Sequence, residues 1–143
     1  MPLNSIPGLQ TGISVSVQKT VQSVDTALNI GSGSLKDLLA TPSLTALMIE
    51  AAVKAVEHLL PEKHITVGKF IQLTHQNPTI QGMTVTVSAK LVEIDYNRLV
   101  FELEAYDELG LIGSGLHERY IVNYDTFMEK TKSRCRPLEA SVK

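Results

Sequence analysis

The stretch TPSLTALMIEAAVKAVEHLL, residues 41–60, decides the fold of this chain. Thr41 is a good N-cap residue, Pro42 suits the first helical position, and Pro61 stops a helix. The pattern therefore predicts one long helix over residues 42–60.

Few residues of this predicted helix are polar. Glu50, Lys54 and Glu57 fall within one narrow stripe at 100° per residue, where Glu50 and Lys54 can form an i,i+4 ion pair. An ordinary surface helix buries a single stripe, but most of the circumference here is apolar. Other parts of the chain are therefore expected to wrap around this helix.

Segments with alternating apolar residues lie on both sides of the helix and predict a sheet. The predicted strands cover residues 12–21, 64–75, 83–94, 99–105 and 111–124. The alternation slips in phase at Val92, which indicates a bulge. Because short connections favour antiparallel neighbours, the sequence predicts an α+β hot-dog fold, an antiparallel sheet of five or six strands around one long central helix.

Composition excludes several classes of protein. The chain has 143 residues and a formal net charge of -2, which fits one domain and lacks the basic surface of a nucleic-acid binder. A single cysteine, Cys135, excludes an intramolecular disulfide, and no histidines have metal-ligand spacing with a carboxylate, so no metal and no separate cofactor are expected. Without a membrane-length apolar run or a secretory signal, a cytoplasmic location is the expectation.

Three regions are expected along the chain. The termini are polar or rich in proline and glycine, and show no periodic pattern. The expected regions are a flexible N-terminus over residues 1–11, the hot-dog domain over residues 12–128, and a polar, solvated C-terminal tail over residues 129–143.

Three stretches resemble the hot-dog thioesterases related to fluoroacetyl-CoA thioesterase. They are LLATPSLTALMIEAA (38–52), VGKFIQLTHQNPTIQGMTVTVSAKL (67–91) and DELGLIGSGLHERYIV (107–122). The resemblance spans roughly residues 12–128, and the G-S-G-x-H-E-R core of the last stretch is its most specific part. It implies an enzyme that cleaves acyl-CoA thioesters with a Thr, a Glu and a His.

In this resemblance the family's Thr matches Thr41 and its His matches His75. From the residues alone, Thr41 is equally a helix cap, and His75 continues the expected inward face of Ile65, Val67, Ile71 and Leu73 as a core residue would. The resemblance also places Gly68 and Arg119 near the substrate. The alternatives are a bulge or close packing against the helix for Gly68 and a salt bridge for Arg119.

The family's Glu position holds Ile49 in this chain, and Glu50 follows one residue later. One residue is a 100° rotation on a helix, so Glu50 belongs either to the polar stripe or, through a π-bulge, to the site. The family also has a phenylalanine-rich segment before the Thr. Residues 31–40 contain no aromatic residue, so a fluorinated acyl substrate is not carried over.

The resemblance therefore implies an acyl-CoA thioesterase for a small or medium acyl group, with His75 as general base and Thr41 as nucleophile or hydroxyl donor. A non-catalytic acyl-CoA-binding protein is the alternative, because Ile49 replaces the carboxylate. Hot-dog domains pair edge to edge, which implies a homodimer or a tetramer with CoA between subunits. The strand at 111–124 or the one at 83–94 is expected to supply the edge.

Overall fold

The structure is a computed structural model that describes residues 6–142, with side chains described as far as Leu138. The elements are β1 (Ser14–Thr20), α1 (Thr41–Val56), β2 (His64–His75), β3 (Thr84–Asp95), β4 (Arg98–Asp107), β5 (Gly110–Asn123) and α2 (Tyr124–Val142). The predicted α+β architecture, an antiparallel sheet of five strands around a central helix, is confirmed.

The strands form one sheet in the order β1-β3-β4-β5-β2, and each pair is antiparallel. The expectation that residues 83–94 or 111–124 form a free edge is wrong, because β3 and β5 both lie inside the sheet. The free edges are β1 and β2. The hairpins β3-β4-β5 fill the middle of the sheet, while the connection through α1 carries β2 to the far side.

The apolar residues of α1 form the centre of the core. Seven of its side chains are buried: Leu44, Leu47, Met48, Ala51, Ala52, Ala55 and Val56. They pack against buried residues of the sheet, among which Phe101 is the largest. Each large apolar side chain buried in this way contributes about 1.5–3 kcal/mol.

Thr41 is not the N-cap of α1, contrary to the expectation. Ala40 occupies that position with an extended backbone, and Thr41 is the first helical residue. The Ala40 N–H donates to the Asp25 carbonyl at 2.9 Å, which holds the chain extended up to Ala40. The Thr41 hydroxyl is therefore left for another partner.

Two bulges shape the sheet. The register of β3 and β4 shifts between Leu91 and Glu93, which confirms the bulge predicted at Val92. A second bulge lies in β2 between Gly68 and Phe70 and was not predicted.

The bulge in β2 reverses the direction of alternating side chains. Thr66, which is 4% exposed, faces the core before the bulge. Ile71 and Leu73 pack against the core after it. The expectation that Ile65 and Val67 share this inward face is therefore wrong, since one extra residue moves them to the opposite side.

Both ends of the chain carry more structure than the sequence indicates. Residues 1–5 of the expected N-terminal segment lie outside the described residues, whereas Ile6 is 4% exposed and joins the core. The C-terminal residues form α2, which begins directly after Asn123. The Asn123 side chain accepts a hydrogen bond from the Thr126 N–H at 3.0 Å, as a helix cap does. Within the described part of the chain, no helix is long and apolar enough to cross a membrane.

Candidate active site

Thr41 and His75 meet where α1 begins and β2 ends. Thr41 Oγ1 and His75 Nδ1 are 2.8 Å apart, which is hydrogen-bonding distance. The fold explains the contact, because His75 lies on the inward face of β2 after the bulge and because Ala40, not Thr41, is the N-cap of α1, which leaves the Thr41 hydroxyl free of a capping role. The structure thus brings together the two residues predicted as catalytic, 34 positions apart in the chain.

The environment of His75 keeps its ring neutral near pH 7. Burial lowers the pKa of His75 below the ordinary 6.5, and the nearby backbone of Asn77 opposes this effect only in part. A neutral imidazole has one nitrogen able to accept a proton. His75 can therefore act as a base toward the Thr41 hydroxyl.

The second ring nitrogen of His75 has no partner. Nε2 is buried and makes no hydrogen bond within the described part of the chain. In a Ser-His-Asp arrangement, the nitrogen turned away from the hydroxyl is the one that a carboxylate holds. Nε2 of His75 is the nitrogen that an orienting carboxylate would contact, and no carboxylate of the described residues contacts it.

The resemblance places the family's Glu at position 49, where this chain has an isoleucine. Ile49 is half-buried on α1, and the helix continues without a π-bulge from Thr41 to Val56. Glu50 is exposed and pairs with Lys54, with 3.0 Å between Oε1 and Nζ. The polar-stripe interpretation of Glu50 is confirmed, and Glu50 does not line the cavity that contains Thr41 and His75.

A cavity of about 400 Å³ opens beside Thr41 and His75. Its walls come from residues 27–42, which precede and begin α1, and from residues 75–78, which follow β2. A thioester carbonyl placed in this cavity would lie within reach of the Thr41 hydroxyl and of the N-terminus of α1. Such a helix end carries partial positive charge, which stabilises a developing oxyanion.

Gly68 and Arg119 form a second, separate group. They lie opposite each other in the pairing of β2 with β5. Gly68 precedes His75 by seven residues, which corresponds to roughly 20 Å along a strand. Within one chain, the structure therefore joins Thr41 to His75 and Gly68 to Arg119, but it does not bring these two pairs together.

Arg119 is 7% exposed and is held by hydrogen bonds. Its Nε donates to Thr66 Oγ1 at 2.8 Å and its Nη2 donates to the Thr66 carbonyl at 2.9 Å. Thr66 Oγ1 donates in turn to Glu57 Oε2 at 2.6 Å. The salt bridge weighed for Arg119 therefore takes an indirect form, with the Thr66 hydroxyl between the guanidinium and the carboxylate.

His117 extends the same network. Its Nδ1 donates to the Phe70 carbonyl at 2.7 Å, so its Nε2 can accept from Arg119 Nη1 at 3.1 Å. Burial lowers the pKa of His117, and the charge of Arg119 lowers it further against the opposing effect of the Phe70 carbonyl. A β-carbon at Gly68 would lie 3.1 Å from Arg119 Nη1. The bulge weighed for this glycine therefore occurs, but its close neighbours are Arg119 and His117 of β5 and not the helix.

Sequence reasoning missed most of this network. Apart from Arg119 itself, only His117 was indicated by the sequence, because it lies two residues before Arg119 and therefore on the same face of the strand. Thr66 was hidden because the unpredicted bulge reverses its face, and Glu57 was hidden because it belongs to the polar stripe of α1.

Comparison with known proteins connects this site to a family. The model of the fluoroacetyl-CoA-specific thioesterase family matches residues 21–125. The chain is also 34% identical over 98 residues to the fluoroacetyl-CoA thioesterase of Streptantibioticus cattleyicolor, across 68% of this chain and 70% of that protein.

Solved structures agree in fold. A thioesterase-superfamily protein from Thermus thermophilus matches with a TM-score of 0.87 and 25% identity, over 94% of this chain and 98% of that one. A solved fluoroacetyl-CoA thioesterase matches with a TM-score of 0.82 and 28% identity, over 88% of this chain and 97% of that one. A variant of that enzyme is solved in complex with acetyl-CoA. With the fold, the Thr41–His75 contact and these matches in agreement, the chain belongs to the fluoroacetyl-CoA-specific thioesterase family.

Proposed function

We propose that this protein hydrolyses a small or medium acyl-CoA thioester at Thr41 and His75. The observation that carries the proposal is the 2.8 Å contact between Thr41 Oγ1 and His75 Nδ1 at the mouth of a cavity. Membership of a thioesterase family supports the reaction class, and the lack of aromatic residues over 31–40 argues against a fluorinated acyl group.

The chemistry proceeds in two steps with His75 as the proton carrier. His75 Nδ1 takes the hydroxyl proton while Thr41 Oγ1 attacks the thioester carbonyl, and collapse of the tetrahedral intermediate breaks the C–S bond. The proton passes to the departing CoA thiolate. His75 then deprotonates a water that cleaves the acyl-Thr41 ester, which releases the free acid and restores the hydroxyl.

The test is release of CoA thiol from a panel of acyl-CoA thioesters. Thr41→Ala and His75→Ala should each lower kcat at least about 100-fold, the usual size of a general acid–base contribution. Thr41→Ser keeps a hydroxyl and should retain more activity than Thr41→Ala. His64→Ala alters a histidine outside the cavity and is the matched control. Unchanged activity in both alanine variants would overturn the site assignment.

A second candidate is a protein that binds acyl-CoA without hydrolysing it. The specific observations in its favour are Ile49 in the carboxylate position and the unpartnered His75 Nε2. Tight binding of acyl-CoA by calorimetry, together with no thiol release over hours, would establish this alternative.

We also propose a homodimer, with a tetramer as its larger assembly. β2 is a free edge of twelve residues, and free strand edges invite pairing. If two β2 strands pair antiparallel with Ile71 of one opposite Gln72 of the other, Gly68 of the partner subunit would lie opposite His75, which would bring both predicted site pairs together. A monomer in light scattering at micromolar concentration would contradict the dimer. A cytoplasmic location completes the proposal.

A further inference from the structure

A second cavity lies beside the one at Thr41 and His75. Its volume is about 280 Å³. The two cavities share three lining residues, which are Ile30, Leu39 and Pro42. The apolar part of the rest of its lining comes from Val21, Val24, Ala46 and Leu47. Its polar part consists of Ser43, Glu50 and the Lys19–Asp25 ion pair.

The walls of the first cavity suit a neutral aliphatic group. Its apolar side consists of Ala27, Ile30, Leu35 and Leu38, and no charged side chain lines it among the described residues. Its volume is that of roughly 13 water molecules in the liquid, which is more than an acetyl group needs. Ile30 and Leu35 are 40% and 54% exposed, so a bound alkyl chain would remove apolar surface from water.

Of the three shared lining residues, Ile30 is the one whose side chain can be shortened to connect the two cavities. Leu39 is 4% exposed within the core, and Pro42 belongs to the first turn of α1. The Ile30 N–H donates to the carbonyl of Thr26 at 3.1 Å, and Thr26 is itself buried. The backbone of Ile30 is therefore anchored, and its side chain alone forms the removable partition.

We propose that the cavity beside Thr41 and His75 holds a neutral, unbranched aliphatic acyl chain and that Ile30 sets the longest chain that fits. This inference rests on the proposed thioesterase site and names its substrate class. Each methylene buried in the cavity contributes about fourfold to kcat/KM, from about 0.8 kcal/mol per methylene. The gain stops where the chain meets Ile30.

The test measures kcat/KM for acetyl-, butyryl-, hexanoyl-, octanoyl-, decanoyl- and lauroyl-CoA. The wild-type protein should have a higher kcat/KM for an acyl group longer than acetyl than for acetyl itself. Its kcat/KM for succinyl-CoA should be at least about tenfold lower than for an uncharged acyl-CoA of similar length, because the succinyl carboxylate would be buried without a partner. Ile30→Ala should join the two cavities and move the optimum to a longer chain. Leu28→Ala is the matched control, since Leu28 is an exposed neighbour that lines neither cavity.

A second substitution and a binding measurement test this inference separately from the proposed hydrolysis. Adding Ala46→Leu to Ile30→Ala fills the second cavity and should return the optimum to shorter chains. The same length series is measured as binding of S-alkyl-CoA thioethers, which cannot be hydrolysed. If binding depends on the length of the alkyl group but no acyl-CoA is hydrolysed, this inference stands and the proposed hydrolysis is wrong. A length optimum identical in the natural chain and Ile30→Ala, or no binding of any thioether, would overturn the inference.

Discussion

His75 Nδ1 lies 2.8 Å from Thr41 Oγ1, so one hydrogen bond joins the last residue of β2 to the first residue of α1. The contact requires two departures from regular structure. The bulge in β2 places Thr66 and His75 on the same inward face, and the extended backbone at Ala40 makes that residue the N-cap, so the helix begins at Thr41 instead of Pro42. The site therefore depends on irregular positions at the ends of two regular elements.

The pH dependence of hydrolysis should report His75. Burial lowers the pKa of His75 below 6.5, and in the proposed mechanism the neutral ring is the base. Activity should therefore stay level as pH falls toward 6.5 and decline only below that value. A kcat/KM profile from pH 4.5 to 8.5 measures this limb, and an acid limb centred above pH 6.5 would contradict the assignment.

Stability should decrease over the same acidic interval. The unfolded chain binds a proton at His75 and His117 near pH 6.5, whereas burial lowers both pKa values in the folded state. The unfolded state therefore gains protons first as pH falls, and the free energy of unfolding declines below pH 6.5. Urea titrations at pH 7.5 and 5.5 measure the loss, which should be smaller in His75→Gln.

Restoring a carboxylate at position 49 should raise turnover. The resemblance places Ile49 at the family's Glu position, and His75 Nε2 has no partner among the described residues. Ile49→Glu should increase kcat for the best acyl-CoA about tenfold or more, since a carboxylate that orients a catalytic histidine contributes substantially. Ile49→Gln is the neutral control, and equal kcat in the two variants would show that charge at this position does not assist His75.

Removing the charge of Glu50 should have little effect. Among the described residues, Glu50 forms an ion pair only with Lys54 on the exposed stripe of α1, and both side chains are about half exposed. Glu50→Gln should lower the free energy of unfolding by less than about 0.5 kcal/mol and leave kcat within about twofold. A large loss of thiol release in this variant would reveal a catalytic role that the structure does not show.

The hydroxyl of Thr66 should contribute measurably to folding. It stands between Glu57 Oε2 and Arg119 Nε, at 2.6 and 2.8 Å. Thr66→Val keeps the shape but leaves Arg119 Nε without this acceptor, which should cost about 2 kcal/mol. Thr66→Ser loses only a methyl group, about 1 kcal/mol. Urea denaturation compares the two, and an equal loss would mean that the hydroxyl adds nothing.

The sequence by itself determined the local elements of this protein. The apolar run after Thr41 and the stop at Pro61 predicted α1, and the phase slip at Val92 predicted the bulge in β3. The spacing of Glu50 and Lys54 predicted their ion pair. These features depend on residues a few positions apart, which a helical or strand period reports directly.

Only the tertiary structure decided the sheet edges and the setting of the site. The order of strands depends on where the chain passes after α1, and no local period records that path. The bulge beside Gly68 lies where Arg119 and His117, from another strand, pack against the glycine backbone. The local pattern of β2 predicted that His75 faces inward, but only this long-range packing placed Thr66, in place of Ile65 and Val67, on the same inward face.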